Sequence, residues 1–207
     1  MAIIVDDIEQ GTPEWNAARL GNPGASNASK IITNAGAVSK QRGDYLLQLA
    51  GELVCGKQEE GFVSQAMLNG IEREAAARTL FEIIHCVEVQ QVGLVYKDDR
   101  RQFHCSPDGL IGDNCGIEIK NPMLKTHVKY LLDGTLPSDY FSQVQMSLYV
   151  SERETWYFMS NYDGLPPLIL EVHRDEPFIK KLAKALDDFT VELSEIVEKL
   201  RKLQDAA

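Results

Sequence analysis

The chain has 207 residues, 44% hydrophobic and 25% charged, an ordinary globular usage that excludes a disordered tail, a collagen-like chain or a disulfide scaffold. Its net charge of −10 argues against a protein that coats nucleic acid nonspecifically. The apolar runs are too short for a membrane span, the first residues lack a basic and apolar leader, and the four cysteines have no CxxC spacing. A single intracellular domain over 1–207 with reduced thiols is expected.

Thr12-Pro13-Glu14-Trp15 starts the first helix, with Thr as N-cap and Pro in the first turn, and Gly21-Asn22-Pro23-Gly24 ends it. A second helix is expected from Ser26 through Ile31 and Ile32, a third over 44–55 and a fourth over 64–85, with apolar positions at Met67, Ile71, Leu80, Phe81 and Ile84. The period then changes. Val87, Val89, Gln91, Gly93 and Val95 alternate with their neighbours as a strand does. Residues 103–111 read as a second strand, 112–116 as a turn, and 117–120 as a third strand stopped by Asn121-Pro122. A helix over 140–151 precedes strands at 155–160 and 167–173. The last helix, 177–204, carries Leu182, Leu186, Phe189, Leu193, Ile196, Leu200 and Leu203 at alternating spacings of 4 and 3. That heptad seam is either a long helix lying on the sheet or a subunit contact. Acids and bases are mixed along it, so it is not a nucleic-acid tail.

The charge is segregated. From Trp15 to Gly43 the chain carries Arg19, Lys30, Lys40 and Arg42 and no acid. This is a basic surface in an acidic protein, or a chance cluster on a solvated face.

The chemistry sits in Ser106-Pro107-Asp108-Gly109-Leu110, a turn, and Gly116-Ile117-Glu118-Ile119-Lys120. Residues two apart on a strand share a face, so Glu118 and Lys120 project together and Ile117 and Ile119 project oppositely. A charged pair pinned to a core strand is costly unless it is paired or binds a metal. The hairpin returns Asp108 beside Glu118, and a divalent cation relieves the repulsion of two carboxylates. Mg²⁺ prefers hard oxygen ligands, which Asp108, Glu118 and the Ile119 carbonyl supply, and Lys120 stands next to it. This is the logic of a metal-dependent phosphodiesterase. The bland alternative is a surface salt bridge between Glu118 and Lys120.

The pattern Pro107-Asp108 … Glu118-Ile119-Lys120 resembles the PD-(D/E)XK nuclease motif. The wider chain resembles the lambda exonuclease and YqaJ-type viral recombinase family through four blocks in order. These are Glu9-Gln10-Gly11 through Trp15 to Arg19-Leu20-Gly21 with Ala25-Ser26; Gly70-Ile71-Glu72-Arg73-Glu74 with Ala77-Arg78-Thr79-Leu80-Phe81-Glu82; the hairpin itself; and Gln143-Val144-Gln145-Met146-Ser147 before Trp156-Tyr157-Phe158. Residue by residue, the resemblance implies Asp108 and Glu118 as metal ligands joined by Glu74 from a helix, Lys120 as the catalytic lysine, and Gln143 near the active centre with Tyr140 beside it. Without it, Glu74 reads as the i+4 partner of Arg78. Arg19 and Ser26 match residues that grip phosphate on DNA, and Ser26 opens a helix, where free N–H groups attract anions. The loop after Ile32 departs from the family pattern, so Arg42 is chosen over Lys40 and Lys30 as the second phosphate-binding base. Met67 and Leu68 lie where the family places a strand-splitting wedge, or are a helix core face. Lys125 and Lys129 touch the DNA backbone or lie on a solvated helix face. His85, His104, His127 and His173 match no family site and are expected to be neutral structural or surface residues.

The resemblance implies an α/β restriction-endonuclease-like core, a central mixed β-sheet flanked by helices, with a long C-terminal helix. It implies a Mg²⁺-dependent (alternatively Mn²⁺-dependent) 5′→3′ exonuclease with two ions per site. Such an enzyme digests linear double-stranded DNA bearing a 5′-phosphate to 5′-mononucleotides and leaves a 3′ single strand. It also implies a toroidal homotrimer, a single-strand annealing protein as partner, no membrane association, and a cytoplasmic location in a phage or prophage host. The rival readings are an endonuclease of the same fold or a Cas4-like nuclease, weakened by the cysteine spacing, and a catalytically inactive DNA-end binding module.

Overall fold

A computed structural model describes residues 1–58 and 65–206, with side chains described from 73 onward in the second stretch. The elements in chain order are β1 (Ile3–Val5), α1 (Pro13–Arg19), a 3₁₀ turn (Ala25–Asn27), α2 (Ala28–Ile31), α3 (Arg42–Cys55), α4 (Gln65–His85), β2 (Leu94–Tyr96), β3 (His104–Cys105), β4 (Gly109–Ile111), β5 (Cys115–Lys120), α5 (Leu124–Asp133), α6 (Ser138–Ser151), β6 (Thr155–Ser160), β7 (Leu168–His173) and α7 (Glu176–Asp205). The strands form two sheets, an antiparallel β1-β2-β3 and a mixed β4-β5-β6-β7. The expected α/β fold with a mixed sheet, flanking helices and a long C-terminal helix is therefore present, with a second, smaller sheet beside it.

That second sheet corrects the expectation of one strand over 103–111. Pro107 has no N–H to donate to a ladder, and the segment breaks there into β3 and β4, which join different sheets. The alternating run from Val87 likewise contributes only its end to a strand, β2. Its middle makes a single bridge between Gln90 and Leu110. The helix expected from Ser26 is a 3₁₀ turn followed by the one-turn α2.

β5 is the central strand of the site. It pairs antiparallel with β4, Gly109 opposite Ile117, and parallel with β6, Glu118 opposite Phe158 and Lys120 opposite Ser160. The parallel pair needs a crossover, which α5 and α6 supply. Ile117 and Ile119 pack with Ala77 and Phe81 of α4 and Met159 of β6. The opposite face of the mixed sheet carries Gly116, Glu118 and Lys120. Gly116 is required there, because a Cβ would stand 2.3 Å from the buried Trp156 ring.

The larger core lies under α3, α6 and α7. Asp175 caps α7 by accepting from the Phe178 N–H at 2.9 Å, and Pro177 sits in the first turn. The heptad seam is used within the chain. Leu182, Leu186, Phe189 and Leu193 are buried, Phe189 against Tyr45 of α3, and Phe178 against Phe141 of α6. The helix thus lies on other helices rather than directly on the sheet.

Candidate active site

Asp108 stands at the start of β4 and is fixed from both ends. Its N–H donates to the Ile117 carbonyl at 3.2 Å, and its Oδ2 accepts from the Ile119 N–H at 2.5 Å. One strand away, Glu118 is almost fully buried, as the two-residue strand period requires of a side chain pointing into the α6 side. Its Oε1 accepts from Lys120 Nζ and from Gln143 Nε2 of α6, the latter at 2.6 Å. Tyr140, one turn before Gln143, places its ring 5.4 Å from the Lys120 ammonium and packs on Phe158. Glu74 approaches from α4 and pairs with Arg78 at 2.5 Å, while Arg78 Nε donates to the Asp108 carbonyl at 2.9 Å. Arg78 therefore ties the helix carrying Glu74 to the hairpin carrying Asp108. Gln10 adds a second tie, donating to the Pro107 carbonyl at 2.8 Å. Of these, Asp108, Glu74, Arg78 and Gln10 border a cleft of about 720 Å³.

The electrostatics are those of an acid cluster with one cation. Burial, then the charges of Glu118 and Glu74, push the Asp108 carboxyl well above the usual carboxylate range, with Lys120 opposing. Burial also raises Glu74, where Arg78 opposes and Glu118 reinforces the shift. Burial works to lower the Lys120 pKa, but the negative charges of Glu118 and Asp108 outweigh it and the ammonium is held charged. Among the described residues no three His, Cys, Asp or Glu side chains are grouped closely enough to hold a metal by themselves; each carboxylate rests on its own cation or amide. The donor chemistry nonetheless fits a hard divalent cation. Asp108, Glu118 and Glu74 are oxygen donors whose mutual repulsion such an ion relieves, and Mg²⁺ completes its shell with water.

A second, separate pocket of about 180 Å³ lies around Arg19. Thr12 caps α1 by accepting from the Trp15 N–H at 3.3 Å, and the i,i+4 spacing stacks the Arg19 guanidinium 3.7 Å over the Trp15 ring. Trp15 Nε1 is anchored to the Gly93 carbonyl at 2.8 Å. Arg19 Nε donates to Nε2 of His104 at 3.1 Å, and burial lowers its pKa. Tyr45, Asn27 and Glu52 also line this pocket. Trp15, beneath the Arg19 guanidinium, also borders the acidic cleft.

A model of the YqaJ-like viral recombinase domain matches residues 14–154. The chain belongs to that family. No curated protein matches it. Among solved structures it is similar to LHK-Exo, an alkaline exonuclease from Laribacter hongkongensis. The two are 32% identical over 95% of this chain and 100% of that one, with a TM-score of 0.85. The same protein in complex with dAMP matches equally. A phage related exonuclease from Haemophilus somnus shares the fold at 12% identity, with a TM-score of 0.68 over 86% of this chain and 96% of that one. The resemblance read from the sequence is borne out, and fold and family are those of a nuclease of the phage exonuclease type.

Within this YqaJ-like domain, the structure brings together Asp108, Glu118, Lys120, Glu74, Gln143 and Tyr140, with Ile119 between two of them. It does not bring every expected DNA contact to the Arg19 pocket. Ser26 is exposed on the 3₁₀ turn whose neighbours Gly24 and Asn27 line the pocket. Arg42 points elsewhere: it makes a two-pronged pair with Glu192 of α7 at 2.8 and 2.9 Å. Lys30 lies 5.0 Å from the Tyr45 ring, and Lys40 is exposed. Lys125 and Lys129 are exposed on α5. The side chains of Met67 and Leu68 lie outside the described residues. His127 is structural, bound to Ser160 Oγ and the Pro166 carbonyl, and His85 and His173 are exposed. His104 is buried and accepts a hydrogen bond from Arg19. Arg78 and Gln10 stood inside the family blocks, but their bonds to the Asp108 and Pro107 carbonyls had no sequence signal beyond that.

Proposed function

We propose that this chain is a divalent-metal-dependent 5′→3′ exonuclease that shortens one strand of linear double-stranded DNA and releases 5′-mononucleotides. The observation that carries the reading is the Arg19 pocket, whose guanidinium stacks on Trp15, a residue that borders the cleft of the acid cluster. A centre that hydrolyses phosphodiesters needs no such pocket; an enzyme that measures from a 5′-terminal phosphate does. Arg19 is the anchor for that phosphate, and Glu52 in the same pocket partly offsets its charge before DNA arrives. The structural relative solved with dAMP holds a molecule of the product class that such a reaction releases. The ring-shaped homotrimer, a single-strand annealing protein as partner and a phage or prophage setting belong to the same proposal.

Asp108, Glu118, Glu74 and the Ile119 carbonyl are the groups that would hold Mg²⁺ or Mn²⁺, two ions being the fuller occupancy. When bound, the metal supplies charge stabilisation at the scissile phosphate and acidity for the attacking water. Lys120 keeps its proton and offers a fixed positive charge where the pentacovalent phosphate accumulates negative charge. Gln143 holds the shared Glu118 oxygen in place, and Tyr140 packs beside the ammonium, so Lys120 has a restricted set of positions. Arg78 and Gln10 hold the backbone on either side of the Pro107-Asp108 bond.

Digestion of linear duplex DNA labelled at the 5′ or the 3′ end, with Mg²⁺ or with EDTA, tests this reading. Early release of 5′ label as mononucleotide is expected, abolished in EDTA, with closed circles intact. Lys120→Ala should lower kcat by about 10²–10³, the usual loss of one transition-state charge contact. Cutting of closed circles would establish an endonuclease instead. Bound ends with no hydrolysis in either metal would establish an end-binding module.

A further inference from the structure

His104 and Arg19 are 85 residues apart in the chain and meet at one hydrogen bond. Arg19 cannot give up its Nε proton in water, so the 3.1 Å contact makes His104 Nε2 the acceptor. The imidazole proton then sits on Nδ1. That atom is buried and has no hydrogen-bond partner in the described structure. A buried donor left unpaired is costly, and a histidine retained for packing alone has no need of it. The ring is also tightly placed. The His104 N–H donates to the Pro23 carbonyl at 3.1 Å, the backbone bridges to Gly24, and a Cβ on Gly24 would stand 2.8 Å from Nε2. With Trp15 beneath the guanidinium and His104 on its Nε edge, Arg19 is held on two sides. Its terminal nitrogens make no hydrogen bond among the described residues.

We propose that His104 is the positioning residue for Arg19: as a neutral acceptor it holds the Nε edge of the guanidinium, so that the two terminal nitrogens present a fork to a 5′-terminal phosphate monoester. The proposal rests on the reading of Arg19 as the 5′-phosphate anchor. Two terminal N–H groups facing two phosphate oxygens make a charge-assisted pair whose strength depends on orientation. A freely rotating guanidinium loses that geometry while keeping its charge. His104 touches no substrate in this scheme and acts only through Arg19.

The test is the ratio of kcat/KM on 5′-phosphoryl ends to that on 5′-hydroxyl ends of the same linear duplex, in Mg²⁺. The ratio cancels any change in the folded fraction, because one preparation digests both substrates. In the wild type the ratio should be well above one, and Arg19→Ala should bring it close to one. His104→Leu, which keeps bulk but has no acceptor, should lower the ratio about tenfold, the worth of one hydrogen bond to a charged group, and mainly through KM. His104→Gln, which returns an acceptor oxygen, should recover most of it. A ratio that collapses in Arg19→Ala but is unchanged in His104→Leu would overturn the positioning role and leave the anchor standing. A wild-type ratio near one, or one indifferent to Arg19→Ala, would overturn the anchor and the positioning role with it. The wild-type protein gives an independent signature by ¹⁵N NMR of the imidazole. Protonated Nδ1 with bare Nε2 is expected, and protonated Nε2 would overturn the proposal without any variant.

Discussion

His104 is a base kept neutral by its surroundings, and that neutrality has an acid signature. Burial, then the Arg19 charge, pulls its pKa from 6.5 to about 3. Between those values the unfolded chain binds a proton at this position and the folded chain does not. The stability it contributes is therefore complete above pH 6.5 and is lost as the pH falls toward about 3. Thermal melts of the wild type and of His104→Gln from pH 7 downward measure the difference. The wild type should lose Tm faster than the variant below pH 6.5, since glutamine does not titrate; parallel curves would count against a buried neutral imidazole. This residue also marks the limit of what the sequence could say. Asp108, Glu118 and Lys120 were legible because a strand's two-residue period and a short hairpin are local rules, and both hold in the structure. The meaning of His104 depends on a partner 85 residues away, which no local rule reaches.

At the scale of elements, the hairpin β4–β5 positions Asp108, Glu118 and Lys120 together, and a buried cation holds its turn. Arg153, just before β6, is almost fully buried, and its Nη1 lies 2.7 Å from both the Gly112 and Cys115 carbonyls and 3.3 Å from that of Ile111. Arg153→Ala strips those carbonyls of their donor, at roughly 1–3 kcal/mol for each buried acceptor left unpaired. Calorimetry should show a Tm lowered by several degrees. Specific activity should fall with it, because the spacing of Asp108 from Glu118 is set by this hairpin. An unchanged Tm would mean that water replaces the guanidinium without loss. Long elements were easy to read, since α3, α6, β6 and α7 each carry a full period of apolar positions and a recognisable end. The short ones were not. Pro107 divides one apparent strand between two sheets, an effect of a single missing N–H. α5 buries only His127 and exposes Leu124, Val128 and Leu132, so its apolar pattern does not mark an inward face.

For the molecule as a whole, the proposed function raises the question of how a chain of net charge −10 would be retained on DNA. Electrostatic attraction to the DNA backbone grows with the number of phosphates that cations neutralise. Among the described residues, two cations at the acid cluster are already engaged, Arg78 with Glu74 and Lys120 with Glu118. Asp6, Asp7 and Glu9 border the cleft and oppose the approach of DNA. Attraction of this kind holds DNA weakly, whereas a closed ring around the duplex retains it by topology. The homotrimer of the proposed function therefore carries two linked expectations. Sedimentation velocity should give the mass of three chains. Digestion begun on labelled linear DNA should then continue after a large excess of unlabelled competitor is added, with a shallow dependence on salt, because few phosphate contacts need be kept. A monomer that the competitor captures at once would overturn the ring and leave hydrolysis distributive, with Arg19 re-engaging a new 5′-phosphate after every cut.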